Sequence, residues 1–169
     1  ISSSTPNQKG QSYSIAGDIS AGFIKDYFAN DSAVHLMPIL QAMSGVARYE
    51  GVINFNKGNS ETNLKIDMRD WASSAPAPVK KQMGAPTSGQ LTLKTFAKSK
   101  TNTNRLSWGG KIGDAYFFQG ELSSDNALRH AVGVGTLATL PSQGFQLNLS
   151  SAELDLDMWH DFLDRKSVV

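Results

Sequence analysis

Residues 63–69 alternate more strictly than any other stretch of the chain. Leu64, Ile66 and Met68 are apolar, while Asn63, Lys65, Asp67 and Arg69 are polar or charged. Successive side chains of an extended strand point to opposite faces, so this spacing predicts a strand with one dry and one wet face. A helix would scatter the same three apolar residues around its circumference. Upstream, Tyr49, Ile53 and Phe55 alternate with Arg48, Glu50, Asn54 and Asn56, and Lys57-Gly58-Asn59 supplies a turn. Together the two runs predict a β-hairpin whose apolar face requires cover.

The same period recurs along the chain. Ser12–Ala16 reads as a short strand, and Gln90–Phe96 as a longer one that places Leu91 and Leu93 on its dry side. Leu106 and Trp108 precede Gly109-Gly110, a pair suited to a bend. Ile112–Phe118, Val132–Leu140 and Phe145–Leu149 complete the strand candidates. Helical spacing is confined to three short segments. Ser20 is placed to cap one that carries Phe23, Ile24, Tyr27 and Phe28 on one face. Pro38, Ile39, Leu40 and Met43 form the second, with Gly45 just past its end. The third runs from Asp157 to Asp164, with Asp157 as its cap and Trp159, Phe162 and Leu163 on one side. Between Trp71 and Pro86 three prolines interrupt the pattern and predict a loop. Residues 1–10 read as a linker or frayed end, and residues 11–169 as a single β-rich domain. The expected fold is mainly β: a curved antiparallel sheet or groove of about seven to eight strands with two to three short helices.

Composition narrows the chemistry. The 169 residues contain no cysteine, which removes disulfides, thiolate nucleophiles and cysteine metal sites. Serine, asparagine, threonine and glycine take the place of charge, and they suit strand faces and turns. His35, His130 and His160 lack the spacing of a metal site, so no metal, cofactor or catalytic residue is expected. Ser44 lacks a nucleophile elbow, and Gly133-Val134-Gly135 is only part of a phosphate loop. Glu153, Asp155, Asp157, Asp161 and Asp164 cluster at the third helix, where carboxylates cap free N–H groups. The net charge of +1 hides an uneven distribution. No acid occurs from Trp71 to Gly113, whereas Lys80, Lys81, Lys94, Lys98, Lys100, Arg105 and Lys111 do. Such a stretch suits a solvated face or anionic headgroups; aromatics for base stacking are sparse, so nucleic acid is not an expected partner.

Between Met43 and Leu163 a series of short pieces follows, in order, the pattern of one known family. Ser44-Gly45-Val46-Ala47-Arg48-Tyr49 opens a strand as in that family, and Leu64-Lys65-Ile66-Asp67 follows. Ser73-Ser74-Ala75-Pro76-Ala77-Pro78-Val79-Lys80-Lys81 is similar to its "S-S-L-P-x-P-L-x-K" loop, with Ala75 where leucine is expected. Gly84-Ala85-Pro86 and Arg105-Leu106-Ser107-Trp108 come next in the same order. Pro141, Phe145-Gln146-Leu147-Asn148-Leu149 and Leu154-Asp155-Leu156-Asp157-Met158-Trp159 resemble the family's closing pattern, with Ser151 replacing a leucine.

Met43 to Leu163 thus resembles a segment of the AsmA-like family of Gram-negative envelope proteins, in its YhdP branch, and the resemblance implies a non-enzymatic segment of a long periplasmic chain, anchored elsewhere in the inner membrane. Its apolar β-groove would conduct phospholipid between the inner and outer membranes, beside neighbouring segments of the same chain. An opening at Ile1, without methionine, suits an internal piece of such a chain. The expected groove lining is Tyr49, Ile53, Phe55, Leu64, Ile66, Met68, Leu91 and Leu93, with Lys94, Lys98 and Arg105 at the headgroups. The residues themselves leave a second reading open, a closed β-sandwich acting as a structural or protein-binding module.

Overall fold

The computed structural model describes residues 10–29, 37–97, 104–125, 127–150 and 154–166. Residues 1–9 of the expected linker, His35, Lys98, Lys100, Ser151 and Glu153 lie outside the described residues. Twelve elements follow one another. They are β1 (Gln11–Ser20), α1 (Ala21–Ala29), α2 (Met37–Gln41), β2 (Met43–Asn56), β3 (Asn59–Asp67), β4 (Trp71–Ser73) and β5 (Ser88–Thr95). Then come β6 (Asn104–Ile112), β7 (Tyr116–Ser123), β8 (Leu128–Val134), β9 (Gly144–Leu149) and α3 (Leu156–Lys166). The nine strands form one open, curved sheet in the order β1-β2-β3-β5-β6-β7-β8-β9, with β4 beside the start of β2. The described residues therefore make a single sheet, not the two facing sheets of a sandwich.

The hairpin forms as its alternation predicts. β2 and β3 pair antiparallel around a two-residue turn, Lys57-Gly58, whose φ values of 48° and 81° are both positive. That is the turn whose twist matches the strands it joins, and Gly58 enters it without steric cost. Ser20 caps α1 as expected: its Oγ accepts the Phe23 N–H at 3.0 Å. Ser20→Ala should cost about 1 kcal/mol, read as a lower urea midpoint at unchanged slope.

Several boundaries depart from the sequence reading. β1 is ten residues long, because Gly17-Asp18 continues the strand opposite Tyr49 and Arg48. Met43 and Gly45 belong to β2 instead of closing α2, since Gly45 at φ 93° lets the strand pair with Trp71. Gly109-Gly110 sits inside β6, and the real turn falls at 113–115, where Gly113 has φ 56°. The expected strand Ile112–Phe118 is thus split between β6 and β7. The expected strand Val132–Leu140 is instead β8, which contains His130 and ends at Val134 before Gly135 at φ 67°. Residues 135–143 then cross the sheet, so β9 pairs with β8 in parallel instead of continuing the antiparallel meander. The α3 cap is Asp155, whose Oδ1 accepts the Met158 N–H at 3.0 Å, while Asp157 occupies the first turn.

The closed core is small. Ala21, Ala47 and Trp71 form its centre, with Ile19, Ile24, Met43, Ile66 and Met68 packed around them. Five of the eight buried hydrophobic residues are alanines. So few large buried side chains beneath so wide a sheet leave most of the apolar area uncovered.

Candidate functional site

Residues directly opposite across a ladder project to the same face, so the register assigns every strand residue to a side. One row runs Ile15, Gly51, Leu64, Leu91, Gly110, Phe118, Val132, Leu147 across β1, β2, β3, β5, β6, β7, β8 and β9. Its neighbours on one side are Tyr13, Ile53, Thr62, Leu93, Trp108, Gly120, His130 and Phe145. On the other side stand Gly17, Tyr49, Ile66, Gly89, Ile112, Tyr116, Val134 and Leu149. None of these three rows contains Asp, Glu, Lys or Arg.

The opposite face holds the charges. Arg48 faces Asp67, Glu50 faces Lys65, Glu61 faces Lys94 and Glu121 faces Arg129 across their ladders. Such opposed pairs stabilise a sheet by a few tenths of a kcal/mol each, up to about 1 kcal/mol. Lys94 reaches Glu61 at 3.3 Å, and Arg129 pairs with Glu121. A hydrogen bond from the Asn63 amide, and then the Lys94 ammonium, hold the Glu61 carboxyl below the ordinary carboxylate range. Two broad depressions, about 870 and 740 Å³, lie over this face among Asp18, Arg48, Glu50, Lys65, Gln90 and Thr92. The depressions thus lie on the charged face, and the apolar face is a broad strip with no charged side chain in its rows.

The strip is level because large side chains lie over glycines. A Cβ on Gly17 would stand 2.7 Å from the Tyr49 hydroxyl oxygen, and one on Gly110 would stand 2.6 Å from the Phe118 ring. Gly120 likewise leaves room for the Trp108 indole. An aromatic ring folded over a cross-strand glycine spends its area along the sheet instead of standing away from it.

One end of the strip is capped and the sheet edges are not. Helix α1, β4 and the 74–86 loop gather around Trp71, and Trp159 of α3 donates from Nε1 to the Ala77 carbonyl at 2.7 Å. At the β9 edge, Phe145, Leu147 and Leu149 remain 55%, 50% and 46% exposed. At the β1 edge Tyr13 is 52% exposed and meets Phe55 edge-on at 6.0 Å. The 135–143 crossover covers only the polar side, where Ala138 and Leu137 carbonyls accept from Gln119 and Asn148.

Tyr49, Ile53, Leu64, Ile66, Leu91 and Leu93 stand in the three rows, and Phe55 projects from the same face in the row beyond Ile53. Met68 lies beyond the end of β3 and packs into the Trp71 core, and Ile66 contributes to both. Lys94 projects from the opposite face, and Arg105 is exposed at an irregular point of the β5-facing strand, β6. These two cations do not converge on the strip with the apolar residues. The sequence reading missed Ile15, Trp108, Phe118 and Val132. Leu106, Trp108, Gly110 and Ile112 do alternate, a signal hidden when Gly109-Gly110 is read as a bend.

His130 is the one imidazole on the strip. Its ring lies 4.9 Å from that of Phe145, and its Nδ1 is buried with no hydrogen-bond partner among the described residues. The described residues hold no cluster of metal-ligating side chains and no helix long and apolar enough to cross a membrane.

No family model, curated protein or solved structure matches this chain. The face itself must carry the functional reading.

Proposed function

We propose that the chain is a lipid-handling segment whose apolar strip holds and conducts the acyl chains of phospholipid. The observation that carries this reading is the set of three adjoining rows, eight strands wide, without a formal charge and, beyond the capped end, without cover from the other described residues. Hydrocarbon gains roughly 25 cal/mol for each Å² it removes from water. A strip without fixed polar contacts offers nearly equal sites along its length, so a bound chain slides instead of locking. Soluble domains rarely leave so large a contiguous apolar surface bare unless something binds there.

The role proposed is binding and conduction, without a catalytic group or cofactor. Its setting is the periplasm, as part of a longer inner-membrane-anchored chain in which neighbouring segments continue the strip between the two membranes. The polar face, with its paired charges, faces water. Lys94 is engaged by Glu61 on that face, so any headgroup attraction there acts at long range.

The test is direct: purify the chain from bacterial cells without detergent, extract it with organic solvent and identify lipid by mass spectrometry. Co-purifying phospholipid is the expected result. A lipid-free protein with native sheet content would sink the proposal, and capture of a protein in its place would favour a partner-binding module.

A further inference from the structure

At its capped end the strip runs into a recess of about 190 Å³ beneath the proline-rich loop. Met43, Met68, Trp71 and Val79 supply apolar walls, and Ile112 and Tyr116 are shared with the strip. Of the polar residues around it Lys80 is exposed, and the others are already engaged. Lys81 donates from Nζ to the carbonyls of Trp71 at 2.7 Å, Ala85 at 3.0 Å and Gln82 at 3.2 Å, which uses all three ammonium protons. Burial pushes this ammonium below its ordinary pKa, against the opposing pull of Asp67 and Asp70. The Thr87 hydroxyl donates to the Ala85 carbonyl, the Ser73 hydroxyl oxygen accepts from Ala75 N–H, and the Tyr116 hydroxyl donates to the Pro78 carbonyl. The loop roof is thereby pinned from β4, from β7 and, through Trp159, from α3.

A recess lined this way offers water few partners. Apolar cavities of about 150 Å³ stay dry and take up small hydrocarbons. We propose that this recess seats the methyl end of a phospholipid acyl chain whose remainder lies along the strip. The proposal rests on the lipid reading above. It adds a direction to it: chains stop at the Trp71 end, with headgroups toward the open rows. The reason is that α1, β4 and the 74–86 loop block further travel there, while the strip beyond remains uncovered.

Trp71 lines the recess and reports on it. In the double variant Trp108→Phe, Trp159→Phe it is the remaining tryptophan, and bromine in contact with an indole quenches its emission. Phosphatidylcholine brominated near the methyl ends of its chains, and the same lipid brominated near the carbonyls, would be bound to this protein and the bound lipid measured as phosphorus. Methyl-end bromines should quench Trp71 at least twofold more than carbonyl-end bromines. Val79→Phe, which fills the recess, should remove that difference when quenching is taken per bound phosphorus. Bound lipid with Trp71 unquenched, or quenched equally by both lipids, overturns the recess and leaves the strip standing. No bound phosphorus overturns both.

Discussion

Leu91→Glu is expected to cut co-purifying phospholipid by about tenfold or more while the sheet remains folded. Leu91 stands mid-strip in β5, between Leu64 and Gly110, and is only half-buried. Covering a leucine side chain with hydrocarbon is worth roughly 1.5–3 kcal/mol, and about 1.4 kcal/mol is already a factor of ten in binding. A carboxylate at that point removes the gain and adds the cost of drying a charge. The same charge harms folding far less, because the position stays open to water and strand preferences span about 1 kcal/mol. Gln90→Glu is the matched control: one residue away, on the polar face opposite Lys65 and Lys111, it should leave lipid content unchanged. Retention of lipid by Leu91→Glu, with normal far-ultraviolet circular dichroism, would remove the strip as the binding surface. Ile66 discriminates less well, because it also packs against the Trp71 core.

Trp71→Ala has the largest expected effect on stability, a loss of about 3–5 kcal/mol in urea denaturation. Domains of ordinary size have about 5–15 kcal/mol to lose, so the variant should be marginal at physiological temperature. The indole is 5% exposed and joins Ala21 of α1, Ala47 of β2 and Met68 beyond β3. No comparably large buried side chain exists among the described residues to share the load, since alanines make up most of the rest. Trp71→Phe should retain the sheet at a smaller loss. A cost below about 1 kcal/mol for the alanine variant would show that the sheet stands without this cluster.

The hairpin was fully legible because every cue in it is local. Alternation sets the faces of β2 and β3, and Lys57-Gly58 closes them in a two-residue turn. Ser20 at α1 is legible for the same reason, since a cap needs only its own first turn. The errors share a cause of the opposite kind. Glycine marks a turn in one context and makes room for a neighbour in another. Gly110 accommodates Phe118 from the adjacent strand, which nothing within β6 announces, while Gly113 makes the turn. The parallel pairing of β9 depends on where residues 135–143 cross, and the hydrogen bonds that hold them come from Gln119 and Asn148 in separate strands.

The candidate site divides along the same line. Seven of the eight expected lining residues share one face of β2, β3 and β5, because a strand's period of two is a property of its backbone. Alternation by itself determined that this chain would make strands with a dry side and a wet side. Only the tertiary structure decided that the dry sides of eight strands align, that Trp108 and Phe118 lie against glycines, and that no second layer among the described residues covers the result beyond its capped end. Register and cover are non-local: they depend on which strands meet and on what remains to pack against them. The sequence therefore contains an apolar face in pieces, and pairing across the sheet turns the pieces into one surface.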